Sequence, residues 1–284
     1  MAKILLGKPV AQAVMEEVSL RTEALACRGV TPRLAVVRFG ENDGDVAYER
    51  GIFKTLSPVG IEVESIVLAQ NAPMEELLKL LHTLSRDRTF HGILPMRPFP
   101  DQIDTTLARN AIPPEKDVDG VCDASLTGLF TGVSTGFAPC TAQACVALLE
   151  HEDIPIEGRH AVVIGRSLVV GKPVGMLLLQ KNATVTYAHS RTRDLIDVAK
   201  SADILIAAAG KRGLIGAEHV KPGQTVLDVG IHYDENGKLC GDVRFDEAEP
   251  VVSAITPARG GVGAVTSAIL AKHVLLAAEN SLYF

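Results

Sequence analysis

Residues 160–180 read HAVVIGRSLVVGKPVGMLLLQ, which is a buried-strand pattern, a glycine-containing turn and a helical pattern in that order. The four apolar residues after His160 favour a strand, and a segment with helical spacing begins at Pro173. A strand–turn–helix unit places the N–H groups of a helix start at the end of a strand, where they can bind a pyrophosphate. The stretch therefore predicts a dinucleotide site on residues 165–171.

The glycine spacing of this turn departs from the usual GxGxxG pattern. Ser167 stands where the second glycine is expected, and Gly171 comes one residue late. The alternative is an ordinary strand-to-helix turn, because a glycine pattern alone is a weak signal. The strand before it and the helix after it favour the dinucleotide site, with Gly165, Arg166 and Ser167 as its candidate residues.

The end of the next predicted strand, residues 183–188, indicates which dinucleotide binds. NAD enzymes usually place an acidic residue there to bind the ribose hydroxyls. This chain instead has His189, Ser190, Arg191 and Thr192. A hydroxyl and a guanidinium suit a 2′-phosphate, so the pattern favours NADP over NAD. The alternative for Arg191 is a solvated surface charge.

The whole chain alternates strand and helix patterns, which is typical of an α/β fold with a mainly parallel sheet. Its 284 residues suggest two domains. We predict an N-terminal α/β substrate domain and a Rossmann-like NADP-binding domain over 141–264. The first domain would span 1–140 and be completed by 265–284, where a long helix returns to it.

Predicted elements follow from the apolar periodicity and from the glycine and proline residues. In the first half, the helices are predicted at 10–26, 47–56 and 74–84, and the strands at 34–39, 61–67 and 92–94. Residues 110–138 contain Pro113, Pro114 and several glycines, and we expect a connection without regular structure there. In the second half, the strands are predicted at 160–164, 183–188, 204–208 and 225–229, and the helices at 142–149, 173–180, 193–201 and 265–278.

Composition argues against several classes of partner. The net charge is −6 and no Lys/Arg-rich run is present, so a nucleic-acid partner is not expected. No apolar stretch reaches the length of a membrane span, and the first residues do not resemble a signal peptide. The five cysteines form no CxxC pair and have no histidine cluster nearby. We therefore expect no metal site, a reducing compartment and a cytoplasmic location.

Motifs distributed over nearly the whole chain resemble the bifunctional methylenetetrahydrofolate dehydrogenase/methenyltetrahydrofolate cyclohydrolase family. Together they are specific, although each one alone is not. They include Lys116-Asp117-Val118-Asp119-Gly120, Pro139-Cys140-Thr141, Val162-Val163-Ile164-Gly165-Arg166-Ser167, His189-Ser190-Arg191-Thr192, Asp228-Val229-Gly230-Ile231, Gly241-Asp242-Val243 and Gly260-Gly261-Val262-Gly263.

The resemblance implies a folate substrate in a cleft between the domains, NADP as cofactor and a homodimer formed through the Rossmann domain. It implies that NADP contacts Gly165, Arg166, Ser167, Ser190 and Ile231. Asp119 would hydrogen-bond the pterin, and Tyr48 would stack near the folate, so that both are candidate catalytic and substrate residues. Gly260 and Gly261 are further candidates for binding the substrate.

The chain departs from the family pattern in its cyclohydrolase residues. The family has Tyr-x-x-x-Lys on a helix and a Gln after the Gly-Ile-Leu strand. Here Tyr48 is present, but Ile52 stands at the Lys position and Met96 at the Gln position. Lys54 lies two residues further, about 200° round the helix axis, and is expected to face away. Neither Ile nor Met can move a proton, so cyclohydrolase activity is expected to be weak or absent.

Other departures leave alternatives open. Arg97 and Arg259 stand where the family has apolar or Pro residues, and either can be an anion ligand or a solvated charge. The first hypothesis is an NADP-dependent methylenetetrahydrofolate dehydrogenase of one-carbon metabolism. The second is a non-catalytic paralogue that binds NADP or folate and has a regulatory role. The third is an NADP-dependent dehydrogenase of another small anionic substrate.

Overall fold

The computed structural model describes residues 1–133 and 135–283. The chain forms two compact units. The large-sheet unit contains Met1–Ala11 and Thr141–Thr266, and the small-sheet unit contains Gln12–Cys140 and the chain from Ser267 onward. The predicted α/β class is confirmed, and so is the return of the last helix to the first domain. The boundaries given for the two domains stay a prediction.

Strands and helices alternate along most of the chain, as the sequence predicts. The helices are α1 Gly7–Ala26, α2 Asp43–Leu56, α3 Met74–Arg86, α4 Thr105–Asn110, α5 Asp123–Thr131, α6 Cys140–His151, α7 Gly171–Gln180, α8 Leu195–Ser201, α9 Phe245–Ala248 and α10 Gly263–Asn280. The strands are β1 Lys3–Ile4, β2 Arg33–Phe39, β3 Glu62–Leu68, β4 Gly92–Pro95, β5 His160–Ile164, β6 Thr184–Ala188, β7 Ile204–Ala207, β8 Thr225–Asp228, β9 His232–Tyr233, β10 Leu239–Cys240 and β11 Ala254–Ile255.

The small-sheet unit is built on a parallel sheet in the order β3-β2-β4. β2 is central and buried along nearly its whole length, in keeping with its unbroken apolar run. β4 continues to Pro95, one residue beyond the predicted end. A proline is tolerated there because β4 is an edge strand, where a missing N–H removes no pairing. The backbone N–H of Met96 then donates to the Val37 carbonyl at 2.8 Å.

One predicted connection is wrong, because α5 lies within residues 110–138. Asp117 organises the start of α5, since its Oδ2 accepts from Cys122 N at 2.8 Å and from Ser125 Oγ at 2.7 Å. The helix contains Gly128 and ends at Gly132 in the left-handed conformation. Glycine weakens helix propensity, and a helix this short shows little periodicity.

The large-sheet unit contains a parallel sheet in the order β1-β11-β8-β7-β5-β6. The first eleven residues belong to this unit, because β1 pairs with β11. From β5 the chain runs through α7 to β6 on one side, and then through α8 to β7 on the other side. The direction of winding therefore reverses at β5. In open α/β sheets, ligands bind outside the carboxyl ends of the strands at such a reversal.

Candidate functional site

The turn after β5 requires glycine at Gly165. Its φ is +140°, and an added Cβ would come within 2.1 Å of the Ala208 carbonyl oxygen after β7. Gly171 packs against the same turn, since its Cβ would lie 2.4 Å from the Gly165 carbonyl oxygen. The late glycine in the pattern thus has a structural reason. Together the two glycines make a backbone cradle at the point where the winding of the sheet reverses.

Ser167 shapes the start of α7 in place of the expected second glycine. Its Oγ accepts from Val170 N at 3.1 Å and from Gly171 N at 3.3 Å. Its carbonyl accepts from Lys172 N at 3.0 Å. Arg166 beside it is exposed. The turn therefore offers a hydroxyl and a guanidinium at the positive end of a helix, an arrangement suited to an anion.

Gly175 and Tyr187 were missed by the sequence reasoning. An added Cβ at Gly175 would lie 2.1 Å from the Tyr187 hydroxyl oxygen, so this glycine lets α7 pack closely on β6. The Tyr187 hydroxyl donates to the Lys172 carbonyl at 2.8 Å. The sequence did contain a signal of this close packing between helix and strand: Gly175 stands inside a helical pattern, four residues after Gly171.

The loop after β6 is held by its own polar groups. His189 N donates to Thr192 Oγ1 at 2.8 Å, and Arg191 N donates to His189 Nδ1 at 3.2 Å. Ser190 and Arg191 are both exposed. The structure thus leaves the predicted hydroxyl and guanidinium accessible at the end of β6.

The other predicted residues of the large-sheet unit lie in loops. Ile231 is 63% exposed, and its Cδ1 would lie 3.9 Å from a Cβ added at Gly263. Gly260 has a φ of +82°, and a Cβ added at the neighbouring Gly261 would lie 2.3 Å from the Pro257 carbonyl oxygen. The backbone conformation at Gly260 and the close approach at Gly261 therefore explain why glycine occupies both positions.

Asp228 supports the loop that carries Ile231. It is buried, and its carboxylate accepts from the backbone N–H groups of Gly230, Asp242 and Val243 at 3.0 Å each. Burial raises the pKa of Asp228 to about 6, against the opposing effect of these hydrogen bonds.

In the small-sheet unit, Asp119 forms an ion pair with Arg97. Arg97 Nη2 donates to Asp119 Oδ2, and the two side chains are 28% and 19% exposed. Burial raises the pKa of Asp119, and the Arg97 charge acts in the opposite direction. Arg97 is therefore neither a solvated charge nor an isolated anion site, because its charge is balanced by a carboxylate.

Tyr48 belongs to the same cluster. Its ring is 46% exposed. Burial raises its pKa well above the ordinary value, the negative charge of Asp119 raises it further, and the positive charge of Arg97 lowers it. Tyr48, Arg97 and Asp119 thus lie within electrostatic reach of one another. The sequence reasoning named all three residues but did not predict that Arg97 pairs with Asp119.

The two replaced family positions are apolar and buried. Ile52 is fully buried on the face of α2 that also carries Glu49 and Leu56, and Met96 is 5% exposed after β4. Lys54 is exposed on the same helix. The structure therefore places no amine at position 52 and no amide at position 96, and Lys54 lies on a solvent-facing part of α2.

Cys140 and His273 form a buried pair that the sequence reasoning missed. The Cys140 thiol donates to the Val118 carbonyl at 3.2 Å, and His273 Nδ1 lies 2.8 Å from the same oxygen. The His273 ring also stacks on Phe137, with the ring centroids 4.8 Å apart. The pair joins α10 to the segment that carries Asp119.

Among residues 1–133 and 135–283, no group of three or more His, Cys, Asp or Glu side chains is arranged to hold a metal ion. Within the same described ranges, no helix combines the length and the apolar character that crossing a membrane requires. Arg259, the second added arginine, is exposed.

The fold and these two sites define an α/β chain with a dinucleotide-binding unit of Rossmann topology and a second unit that contains an acidic, arginine-paired site. Residues 5–119 match the catalytic domain of tetrahydrofolate dehydrogenase/cyclohydrolase, and residues 139–282 match the NAD(P)-binding domain of the same family. The chain belongs to the tetrahydrofolate dehydrogenase/cyclohydrolase family.

Similar proteins cover the chain from end to end. The bifunctional protein FolD of Carboxydothermus hydrogenoformans is 46% identical over 281 residues, which cover 98% of each chain. The crystal structure of the bifunctional FolD enzyme from Campylobacter jejuni has a TM-score of 0.96 at 38% identity and covers 99% of each chain. The Trypanosoma brucei FolD, solved with NADP cofactor and an inhibitor, has a TM-score of 0.93 at 34% identity and covers 100% of this chain and 99% of that chain.

These likenesses confirm the predicted family and the predicted dinucleotide-binding domain. They do not bear on the roles of individual site residues, which stay predictions.

Proposed function

We propose that this chain oxidises 5,10-methylenetetrahydrofolate to 5,10-methenyltetrahydrofolate with NADP, and that its cyclohydrolase step is weak or absent. The observation that carries the proposal is a contrast between the dinucleotide site and the cyclohydrolase positions of this chain. The turn at Gly165 keeps the geometry of a dinucleotide site, whereas Ile52 and Met96 are buried apolar residues at two proton-handling positions.

The residues after β5 and β6 fit NADP. Gly165 and Gly171 let the turn pack closely, because a Cβ at either would meet the carbonyl oxygen of Ala208 or of Gly165. A tight turn before a helix presents backbone N–H groups that suit a pyrophosphate. Ser190 and Arg191 are exposed and suit a 2′-phosphate. We assign Arg166, Ser167 and Ile231 to the same cofactor. When bound, NADP supplies the hydride acceptor, and the residues of the chain bind and orient the two reactants.

The two activities of the family depend on side chains to different degrees. Opening the methenyl bridge requires water activation and proton transfer, and a positioned acid–base group contributes about 10²–10⁴-fold to such a step. Removing a hydride from the methylene carbon requires mainly that the reactants be held in line. Asp119 and Tyr48 are the residues to which we assign folate binding, together with Gly260 and Gly261.

The proposal is tested by following NADPH formation with purified protein and 5,10-methylenetetrahydrofolate. We expect turnover that requires the folate and that is faster with NADP than with NAD. A folded protein that forms no NADPH under these conditions would overturn the proposal and favour the non-catalytic alternative.

The loss of cyclohydrolase activity is tested by restoring the family residues. We expect the double variant Ile52→Lys with Met96→Gln to gain hydrolysis of methenyltetrahydrofolate, because it restores an amine and an amide at the two family positions that handle protons. Lys54→Ala is the control, since Lys54 is exposed and its removal is expected to change neither activity. No gain in a folded double variant would show that these residues are not the sole defect.

The oligomeric state and the location are further parts of the proposal. β6 is an edge strand of the large sheet, and its unpaired edge offers a surface for a second copy. We propose a homodimer formed through this unit, which light scattering after gel filtration would measure as twice the chain mass of 30.2 kDa. The cytoplasmic location stays a prediction that rests on the five free thiols.

A further inference from the structure

Arg97 and Asp119 place a hydrogen-bond donor and an acceptor side by side. Arg97 Nη2 donates to Asp119 Oδ2. A guanidinium carries five N–H donors in a plane, and a carboxylate has about four acceptor positions. Within residues 1–133 and 135–283, the structure gives Arg97 this one hydrogen-bonding partner. The pair can therefore donate from one side and accept on the other.

The pair is also accessible while being largely removed from water. The Arg97 and Asp119 side chains keep 28% and 19% of their surface exposed. Tyr48, half exposed, lies within reach of both charges. Hydrogen bonds to charged groups in such partly desolvated places discriminate strongly between ligands, because a mismatched ligand leaves a donor or acceptor unpaired.

The 2-amino-4-oxo edge of a pterin has the complementary pattern: two N–H donors followed by a carbonyl acceptor. We propose that Arg97 is a specificity residue that donates to the 4-oxo group, while Asp119 accepts from N3–H and the 2-amino group. This inference rests on the proposed function. The role of Asp119 follows from the family resemblance, whereas the role of Arg97 follows from the ion pair in this structure.

Arg97 also supports its partner as an acceptor. Burial raises the pKa of Asp119, and so does the nearby charge of Asp117, whereas Arg97, through its charge and its hydrogen bond, and the hydrogen bond with Cys140 lower it. The guanidinium thus favours the ionised carboxylate that the two N–H groups of the ligand require.

The experiment compares tetrahydrofolate with its 4-amino-4-deoxy counterpart, which presents a donor where the carbonyl stood and lacks the hydrogen on N3. Their dissociation constants are measured by calorimetry for the wild type, Arg97→Met and Arg97→Lys. We expect the wild type to prefer the oxo ligand by about 10- to 100-fold. Arg97→Met should lower the ratio about tenfold below the wild-type ratio and leave the part that the contact of Asp119 with N3–H contributes, and Arg97→Lys, which keeps the charge and a donor, should give an intermediate ratio.

Arg109→Met is the matched control, because Arg109 is also paired with an aspartate, Asp123, in the same unit. We expect this variant to keep the wild-type ratio. Circular dichroism verifies that each variant is folded. The ratio is informative because a general loosening of the site weakens both ligands alike.

Three outcomes would contradict the inference. If Arg97→Met weakens both ligands equally, Arg97 acts only by holding Asp119. If the wild type binds both ligands with the same affinity, the inference fails while the proposed folate function stands. If the wild type binds neither ligand, the proposed function fails as well.

Discussion

Gly165 is the residue on which the proposed cofactor site depends most directly. Its φ of +140° is a conformation that residues with a side chain rarely adopt, and a Cβ there would lie 2.1 Å from the Ala208 carbonyl oxygen. We predict that Gly165→Ala weakens NADP binding by at least about tenfold and lowers the free energy of unfolding by about 1–3 kcal/mol. Fluorescence titration with NADPH and urea unfolding measure the two effects.

Gly158→Ala separates the cofactor effect from backbone strain. Gly158 has a φ of +71° in the same unit, but no heavy atom lies within 4 Å of an added Cβ. This variant should lose some stability and keep its affinity for NADPH. Wild-type affinity in Gly165→Ala would show that the turn does not contact the cofactor.

At the scale of single residues, the sequence predicts which residues belong to a site better than it predicts which side chains contact one another. Ile52 and Met96 are evident as departures because the family motif fixes their positions in the chain. The ion pair of Arg97 with Asp119 is not evident, because the two residues are 22 positions apart in the chain and meet only in the folded structure. Likewise, Cys140 is evident as part of the motif Pro139-Cys140-Thr141, but its contact with His273 is not, since the two residues are 133 positions apart.

At the scale of elements, β2 and α2 are joined by a buried ion pair that the apolar periodicity of the sequence does not predict. Arg38 on β2 and Glu49 on α2 are 8% and 6% exposed, and Arg38 Nε lies 2.7 Å from Glu49 Oε2. The other carboxylate oxygen of Glu49 is buried without a hydrogen-bond partner among the described residues. Glu49 is one residue from Tyr48, so this pair helps to fix the part of α2 that carries the tyrosine.

We predict that Glu49→Gln destabilises the fold by about 3–5 kcal/mol, because it leaves the Arg38 guanidinium buried without its counter-charge. Replacing both residues with apolar ones, as in Arg38→Leu with Glu49→Val, should recover most of that loss. Urea unfolding gives the free energies. Glu41→Gln is the control: Glu41 also contacts Arg38, but it is exposed and should matter by less than about 1 kcal/mol. Equal losses from Glu49→Gln and Glu41→Gln would contradict the argument.

Elements were predicted well where periodicity is strong and poorly where it is not. β2, β5 and α3 follow from unbroken apolar runs or from a clear amphipathic face. α5 was missed, because Gly128 and its short length remove the helical pattern that would identify it. Its N-cap is Cys122, whose backbone N–H donates to Asp117, and cysteine is not among the residue types that usually signal an N-cap.

At the scale of the whole molecule, the chain crosses three times between its two units, since the first residues complete the large sheet and α10 ends in the small-sheet unit. The sequence predicted the return of α10 but not the place of β1, which is only two residues long and has no periodicity to read.

His273 on α10 predicts how stability depends on pH. Burial lowers its pKa to about 4, and the charge of Lys272 contributes. In the unfolded chain the imidazole titrates near 6.5. As pH falls through the range from about 6.5 to 4, the unfolded chain takes up a proton that the native chain does not bind. The free energy of unfolding therefore falls by up to about 3 kcal/mol across that window, and this contribution is constant above it.

The measurement is urea unfolding of the wild type and His273→Asn between pH 7.5 and 4.5. We expect the advantage of the wild type over the variant to shrink as the pH falls. Exposed His82, changed to Asn, serves as the control and should run parallel to the wild type. A difference between wild type and His273→Asn that does not change with pH would contradict this account.

The most direct test of the central claim supplies one preparation of the protein with 5,10-methylenetetrahydrofolate and NADP, and follows NADPH and 10-formyltetrahydrofolate together. We predict that NADPH forms and methenyltetrahydrofolate accumulates, with enzyme-dependent hydrolysis at least about 100-fold slower than oxidation. Formation of 10-formyltetrahydrofolate as fast as NADPH would show that Ile52 and Met96 do not disable the cyclohydrolase and would contradict the account.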